Sequence, residues 1–403
     1  MRFRIALVLA CAGRAAPLVA QTTPLGRADA VQMAIARGAR LGVARADTAA
    51  ANAQLITAGA RPNPLASASY SKDVPNYHLN VAIPIDFPRL RSLRIRSAQL
   101  GFDAAKLRYQ FARASIALDA DTTYTRAIAA RDRVALSRRT ALDADSLMHM
   151  VERRRDAGDA SDMDVELAAV NAGQQTNIAA ADSLTWISSL LDLQAVLGLP
   201  GQQLAIMATD SLSAPPAAPP VASTTLNEAA ASVSLESATL AARLQHRSLW
   251  STPSVNFGFD YHDNSPGGEK GLLPTFGIGI GLPLFDRNRG LIAQSEAERA
   301  RAGAQLTLAQ VEARSEIAHA TRERENALTK VVRDRVLVTS ANRVVAMSLT
   351  AYREGASALP NVLEAQRTAR EVLAQYIDDL ANAWVATAEL RVLGLTPEPG
   401  SQP

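Results

Sequence analysis

The chain has 403 residues, with Lys+Arg 42 against Asp+Glu 39 and one cysteine. A lone cysteine excludes a disulfide framework, so stability must come from packing or assembly. After the N-terminal segment no apolar run reaches about 18 residues, so no transmembrane helix is expected.

The first element is "MRFRIALVLACAGRAAPLVAQ". It carries Arg2 and Arg4, an apolar run from Ile5 to Ala12, and small residues before Ala20. That is the layout of a secretory signal peptide over residues 1–20. A second reading takes "VLAC" as a lipoprotein cleavage box that leaves Cys11 lipidated. Removing the segment takes Arg2, Arg4 and Arg14 with it and leaves 39 basic against 39 acidic residues. A neutral mature chain offers no electrostatic case for nucleic acid.

A first repeat then occupies residues 21–208. Residues 25–60 are Ala-rich with helical spacing. Residues 62–88 change to period-two alternation with prolines and serines, a strand pair. One very long helical pattern runs over 89–156, breaks at "DAGDAS" (tip near 156–162), and resumes to about Leu197, where "LGLPGQQ" ends it. Residues 209–224, with "SAPPAAPP", read as a linker. The second repeat, 225–395, restates this order: helix 225–250, strand pair 253–285, long helix 289–354, a tip near 354–361 in "EGASALP", and helix to about Leu393. Residues 396–403 form a flexible tail. Pro84 matches Pro283, "RRRDAGDASDMDVELA" matches "AYREGASALPNVLEAQ", and "VLGLP" matches "VLGLT". Two copies indicate a duplicated unit rather than a solenoid.

The long helices carry a seam. Thr123, Ala127, Ala130, Val134, Ser137, Ala141, Ala144, Met148 and Val151 alternate in steps of three and four, as heptads do. An ordinary bundle helix is the plainer reading. Against it, some 65 residues at 1.5 Å make a rod of about 100 Å. One long helix (about 68 residues) nearly equals the return helix and the helix after the linker placed end to end, which fits antiparallel stacking with the linker bulging out beside it.

The strand pairs are amphipathic. Val255, Phe257, Phe259 and Tyr261 share one face, as do Phe276, Ile278, Ile280, Leu282 and Leu284, and Leu79, Val81, Ile83 and Ile85. The opposite faces carry Asn256, Gly258, Asp260 and His262; Gly277, Gly279 and Gly281; and His78, Asn80 and Ala82. Each run is about the 9 to 11 residues of a tilted membrane strand. A soluble hairpin packed on a core is the alternative, but four strands offer no second layer. Pro84 and Pro283 mark the strand-to-helix joins, ending the ladder for want of an N–H, with Asp286 as the expected helix cap. Four strands cannot close a barrel. Two copies would give eight strands with an interior filled by side chains, and three would give twelve and a lumen.

The duplication, the endings "AIPIDF" and "GLPLFDRNRG", and the tip "YREGASALPNVLEAQ" with "LGLP" or "LGLT" after it resemble the TolC-type outer-membrane efflux factor family. The resemblance implies a mainly α fold with a membrane β part: an α-barrel of long antiparallel helices continuing from a trimeric 12-stranded β-barrel. It implies a homotrimer in outer-membrane lipid whose periplasmic tip meets an adaptor (membrane fusion) protein joined to an inner-membrane pump. It implies passive conduction of exported substrates and no cofactor or enzymatic activity. Family carboxylates near the tip lie six and nine residues after the tip glycine. Here those places hold Asn361 and Glu364 after Gly355, and Asp164 and Leu167 after Gly158. Tyr352, three before Gly355, matches a residue that helps hold the tip shut. Gly158 and Gly355 are the expected tip turns and adaptor contacts.

Other chemistry is not indicated. The five histidines, at 78, 149, 246, 262 and 319, lack zinc spacing. "GIGIG" lacks the Lys-Ser/Thr of a phosphate loop. Asp162 and Asp164 have a second reading as charges at a helix start. A non-channel coiled-coil scaffold or adaptor of the envelope remains the alternative to a channel.

Overall fold

A computed structural model describes residues 23–396 except 74, 200, 202–205, 219, 222–223, 249–251, 262–270 and 284. The expected signal peptide, Cys11, His262, Leu284 and most of the expected tail therefore lie outside the described residues. In chain order the elements are β1 (Thr23–Leu25), α1 (Arg27–Arg37), α2 (Ala39–Gly59), β2 (Leu65–Tyr70), β3 (Tyr77–Pro84), α3 (Pro88–Asp156), α4 (Asp162–Val196), β4 (Ile206–Ala208), α5 (Leu226–Arg247), β5 (Ser254–Tyr261), β6 (Leu272–Gly279), α6 (Arg289–Arg353) and α7 (Leu359–Leu393). Helix, strand pair, long helix and shorter helix thus occur twice in the same order. No helix among the described residues is long and apolar enough to cross a membrane.

The chain forms two compact units that cut across both repeats. The first comprises residues 1–33, 120–213 and 334–381. Its core lies along the second part of α3. Of the expected seam, Ala127, Ala130, Val134, Ser137, Ala144 and Val151 are buried, while Thr123, Ala141 and Met148 are only half-buried. The bulk comes from residues beside the seam, Tyr124, Ile128 and Leu147, because a stripe of small residues lets helices approach but fills little space. The parallel pair β1–β4 joins Thr23 to Ile206 and Leu25 to Ala208. Below it a polar cluster ties three distant segments together. Arg27 pairs with Asp121 and donates to Thr125. The Tyr124 hydroxyl lies 2.8 Å from Leu25 O and 2.9 Å from Asp210 Oδ2, which share its one proton. Arg131 donates to the carbonyls of Ala208 and Asp210. The expected linker is therefore fastened at its start.

The second unit comprises residues 34–119, 214–333 and 382–403. The single helix expected over 25–60 is broken at Gly38, which is extended (ψ 116). A Cβ there would lie 2.4 Å from Ala34 O, so only glycine fits the break. The sheet has the order β2-β3-β5-β6, antiparallel throughout, with Leu79 opposite Ala68 and Phe259, and Phe257 opposite Phe276. Strands of 6 to 8 residues are shorter than the 9 to 11 expected.

Both joins differ in detail from the expectation. Pro84 is the last residue of β3, yet Ile85 N still donates to Pro253 O at 2.7 Å, so the ladder outlasts it by one bond. β6 ends at Gly279, four residues before Pro283, so that proline does not terminate the ladder. Asp286 is not the cap either. Its carboxylate accepts from Asn288 N at 2.9 Å, and Asn288, at φ 59, stands before α6 with its carbonyl accepting from Ile292 N. Asparagine tolerates this left-handed backbone.

Candidate functional site

In the second unit the sheet is one-sided. Its apolar face consists of Tyr70, Ala68 and Ala66; Tyr77, Leu79, Val81 and Ile83; Tyr261, Phe259, Phe257 and Val255; and Leu272, Pro274, Phe276 and Ile278, in register across the four strands. This face is open: Phe276 is 77% exposed and Tyr70 64%. Tyr70, Tyr77 and Tyr261 gather at one end, with ring centroids 5.2 and 6.1 Å apart. The other face carries Ser67, Ser69, His78, Asn80, Ser254, Asn256, Asp260 and Thr275. His78 Nδ1 lies 2.9 Å from Asp260. At Gly258 on this face the lack of a side chain is sterically required. A Cβ on Gly258 would sit 2.5 Å from Thr275 Oγ1 and 2.7 Å from Leu79 O.

In the first unit both helix hairpins turn in the same way. Gly158 (φ 84) follows α3 and Gly355 (φ 73) follows α6. Asp159 N donates to Arg154 O and Gly158 N to Arg155 O; Ala356 N donates to Ala351 O and Gly355 N to Tyr352 O. This paired pattern needs a left-handed residue just past the helix, hence glycine. Ser161 then caps α4 in a capping box with Asp164, its hydroxyl accepting from Asp164 N while the carboxylate accepts from Ser161 N.

The two tips meet at Tyr352. Its side chain is 5% exposed among Leu147, Val151, Ala168, Leu359 and Val362. The Arg154 guanidinium lies 4.7 Å from the ring centroid and also donates to Tyr352 O. The Tyr352 hydroxyl is buried without a hydrogen-bond partner among the described residues. Burial, with a smaller push from Asp164, holds its pKa above the ordinary tyrosine value, against the pull of Arg154.

Residues 223–394 match the family model described as Outer membrane efflux protein. That is the family the sequence resembles, and the match spans the second repeat. Solved structures share the fold over most of both chains. A membrane protein from Pseudomonas aeruginosa is 20% identical, with 91% of this chain and 90% of that one covered at TM-score 0.78. The CmeC outer membrane channel of Campylobacter jejuni is 15% identical, with 91% and 86% covered at 0.76. The outer membrane protein VceC of Vibrio cholerae is 17% identical, with 91% and 96% covered at 0.76. At these identities the likeness is one of fold. No curated protein sequence matched.

Within this fold the site residues expected from the sequence fall into two sets. Gly158, Asp164, Tyr352 and Gly355 lie at the hairpin tips, and of these Tyr352 is the one set in the apolar cluster. Asp164 is engaged in the capping box. Asn361 is exposed and donates to Ser357 Oγ at 3.1 Å. Glu364 is exposed and bonded to Arg367 at 2.7 and 2.9 Å. That bond holds its pKa below the ordinary value, so the carboxylate stays ionised and is paired with a cation of its own helix. Arg154 was not singled out in the sequence. The available signal was the run Arg153-Arg154-Arg155, one helix turn before the tip. Among the described residues no group of three or more His, Cys, Asp or Glu is placed to hold a metal ion.

Proposed function

We propose that the chain is the outer-membrane component of a tripartite efflux system, through which substrates delivered by an inner-membrane pump and a periplasmic adaptor pass passively outward. Three copies close a twelve-stranded barrel, and the helices extend into the periplasm with Gly158 and Gly355 at the adaptor-facing tips. One observation carries this reading: a four-stranded sheet with an open apolar face, a polar glycine- and serine-bearing face, and two edge strands, β2 and β6, each with one neighbour. An unpaired edge is a template for another strand, and an open apolar face needs lipid or a second layer. Eight strands would need a side-chain-filled interior. Glycine and serine fill little, which favours twelve. Tyrosines at one end match the belt at a membrane–water boundary.

The test is extraction and conductance of the full-length protein. It should resist high-salt and carbonate extraction and form channels in planar bilayers. Release by carbonate would favour the scaffold reading, in which another protein covers the apolar face. Gly355→Trp should abolish export while leaving the assembly in the membrane.

A further inference from the structure

The helix-side end of the sheet carries a second surface that conduction leaves unexplained. Beyond Ile83 the apolar alternation continues through Ile85 and Phe87, and beyond Ile278 through Ile280 and Leu282. All four are exposed, and Phe285 is 100% exposed. Arginines follow at once. Arg89, Arg91, Arg94 and Arg96 open α3, and Arg287 and Arg289 precede and open α6. Asp86 and Asp286 are the acids in these two stretches.

The contacts sort these cations into two kinds. Arg91 and Arg94 are engaged within the fold. They donate to the carbonyls of Gly59, Ala58 and Ala60 and face Asp86 at 3.6 and 2.9 Å. Arg61, Arg89, Arg96, Arg287 and Arg289 are exposed and have no ion-pair partner among the described residues. Their segments converge on the helix-side end of the sheet. A cleft of about 500 Å³ there is lined by Ile85, Asp86, Phe87, Leu90, Arg94, Arg247 and Ile280, and the five exposed arginines lie outside its lining. Asn288 Nδ2 donates to Gln245 O at 3.2 Å, bringing the start of α6 to the end of α5. The contacts of Arg91 and Arg94 draw the Arg61 segment in. Among the described residues the opposite end of the sheet is different, with tyrosines and the pair Lys72 and Asp73 but no arginine.

We propose that this arginine collar binds the anionic headgroups of glycerophospholipids in the leaflet on the helix side. The inference rests on the membrane reading above and adds a lipid class and a leaflet to it. The charge complementarity is direct. Guanidinium groups take phosphate oxygens in a bidentate fork, and basic residues beside apolar anchors are attracted to anionic lipid surfaces. The apolar row ending in Phe87 and Leu282 meets the acyl chains, and the arginines follow at headgroup depth. A leaflet presents many phosphates in one plane, which suits a spread of exposed arginines. Free phosphate would need an enclosed pocket.

The test uses full-length protein in neutral detergent, titrated with phosphatidylglycerol or with phosphatidylcholine of the same acyl chains. The thermal midpoint and the lipids retained in native mass spectra are read. Phosphatidylglycerol should act at lower concentration, and the difference should shrink in high salt. Each arginine removed should raise its half-saturating concentration by about fivefold. Arg89→Gln with Arg287→Gln and Arg289→Gln should thus abolish the preference while the response to phosphatidylcholine and the assembly on mild gels stay unchanged. Equal action of both lipids, or a preference kept in the triple variant, would overturn the proposal. So would inorganic phosphate reproducing the shift, which would indicate a plain anion site. Failure here is separable from failure of the channel. A carbonate-resistant, conducting protein without lipid preference loses only the collar. A carbonate-extractable, non-conducting one loses both readings.

Discussion

The Tyr352 ring is held on all sides, but its hydroxyl is bonded to nothing among the described residues. Tyr352→Phe therefore removes a desolvated group and no hydrogen bond. Its melting midpoint should stay level or rise, and its resting conductance should match the parent. Tyr352→Ala leaves a cavity among Leu147, Val151 and Val362, costing about 3–5 kcal/mol, and should raise resting conductance. Melting curves and bilayer recordings check both, and a Phe variant that leaks like the Ala variant would show that the hydroxyl does the holding. The pH dependence has a definite sign. Burial raises the folded pKa, so the tyrosine's contribution is complete below about pH 10, the unfolded value. It is lost as pH rises through the folded pKa, and Tyr352→Phe should remove that alkaline loss. Tyr352 was legible because its spacing from Gly355 follows a family pattern. Arg154 was not, because spacing along a helix cannot say which of three adjacent arginines covers a ring from another segment. Asp164 had two readings in the sequence, and the capping box engages its carboxylate locally.

Periodicity made the elements legible wherever they were long. α3 and the strand runs over 79–85, 255–261 and 276–284 each repeat one pattern over enough residues to assign their faces. The three-residue strands β1 and β4 carry no period and pair across more than 180 residues of sequence, so nothing local announced them. The break between α1 and α2 was hidden for a similar reason. One glycine in an Ala-rich run reads as a tolerated weak point until its surroundings are seen. Gly38→Ala tests that break. A Cβ 2.4 Å from Ala34 O cannot be relieved by side-chain motion, so the variant should melt several degrees lower, whereas Gly42→Ala, with open space around it, should not. Ser161→Ala removes one half of the capping box and should cost about 1 kcal/mol by denaturant titration. Arg27→Ala removes the ion pair to the buried Asp121 carboxylate at the fastening of the linker and should lower the melting midpoint.

For the whole molecule the sheet sets the strongest constraint. An even number of antiparallel strands leaves β2 and β6 running in opposite directions. A second copy can then extend the ladder antiparallel, and the pattern can close after any number of copies. Small residues on the polar face favour three copies over two. Within one chain β2 and β6 are separated by β3 and β5, about 14 Å at the usual strand spacing. A disulfide needs Cα atoms within about 7 Å. A cysteine on each edge strand can therefore bridge only between copies. Cys11 is the one natural cysteine, so Cys11→Ser gives a cysteine-free background for these pairs. The pairing register between copies is free, so Ser67→Cys and Ser69→Cys on β2 should each be combined with Thr275→Cys and Gly277→Cys on β6. At least one combination should oxidise without reagent in the membrane. It should give covalent dimers first and then a species of three chains that resists further growth, since closure consumes both edges of every copy. Reduction should return monomers. A ladder that ends at two chains would mean an eight-stranded barrel, continued growth past three an open sheet, and no bridging in any combination would remove edge-to-edge pairing as the basis of assembly.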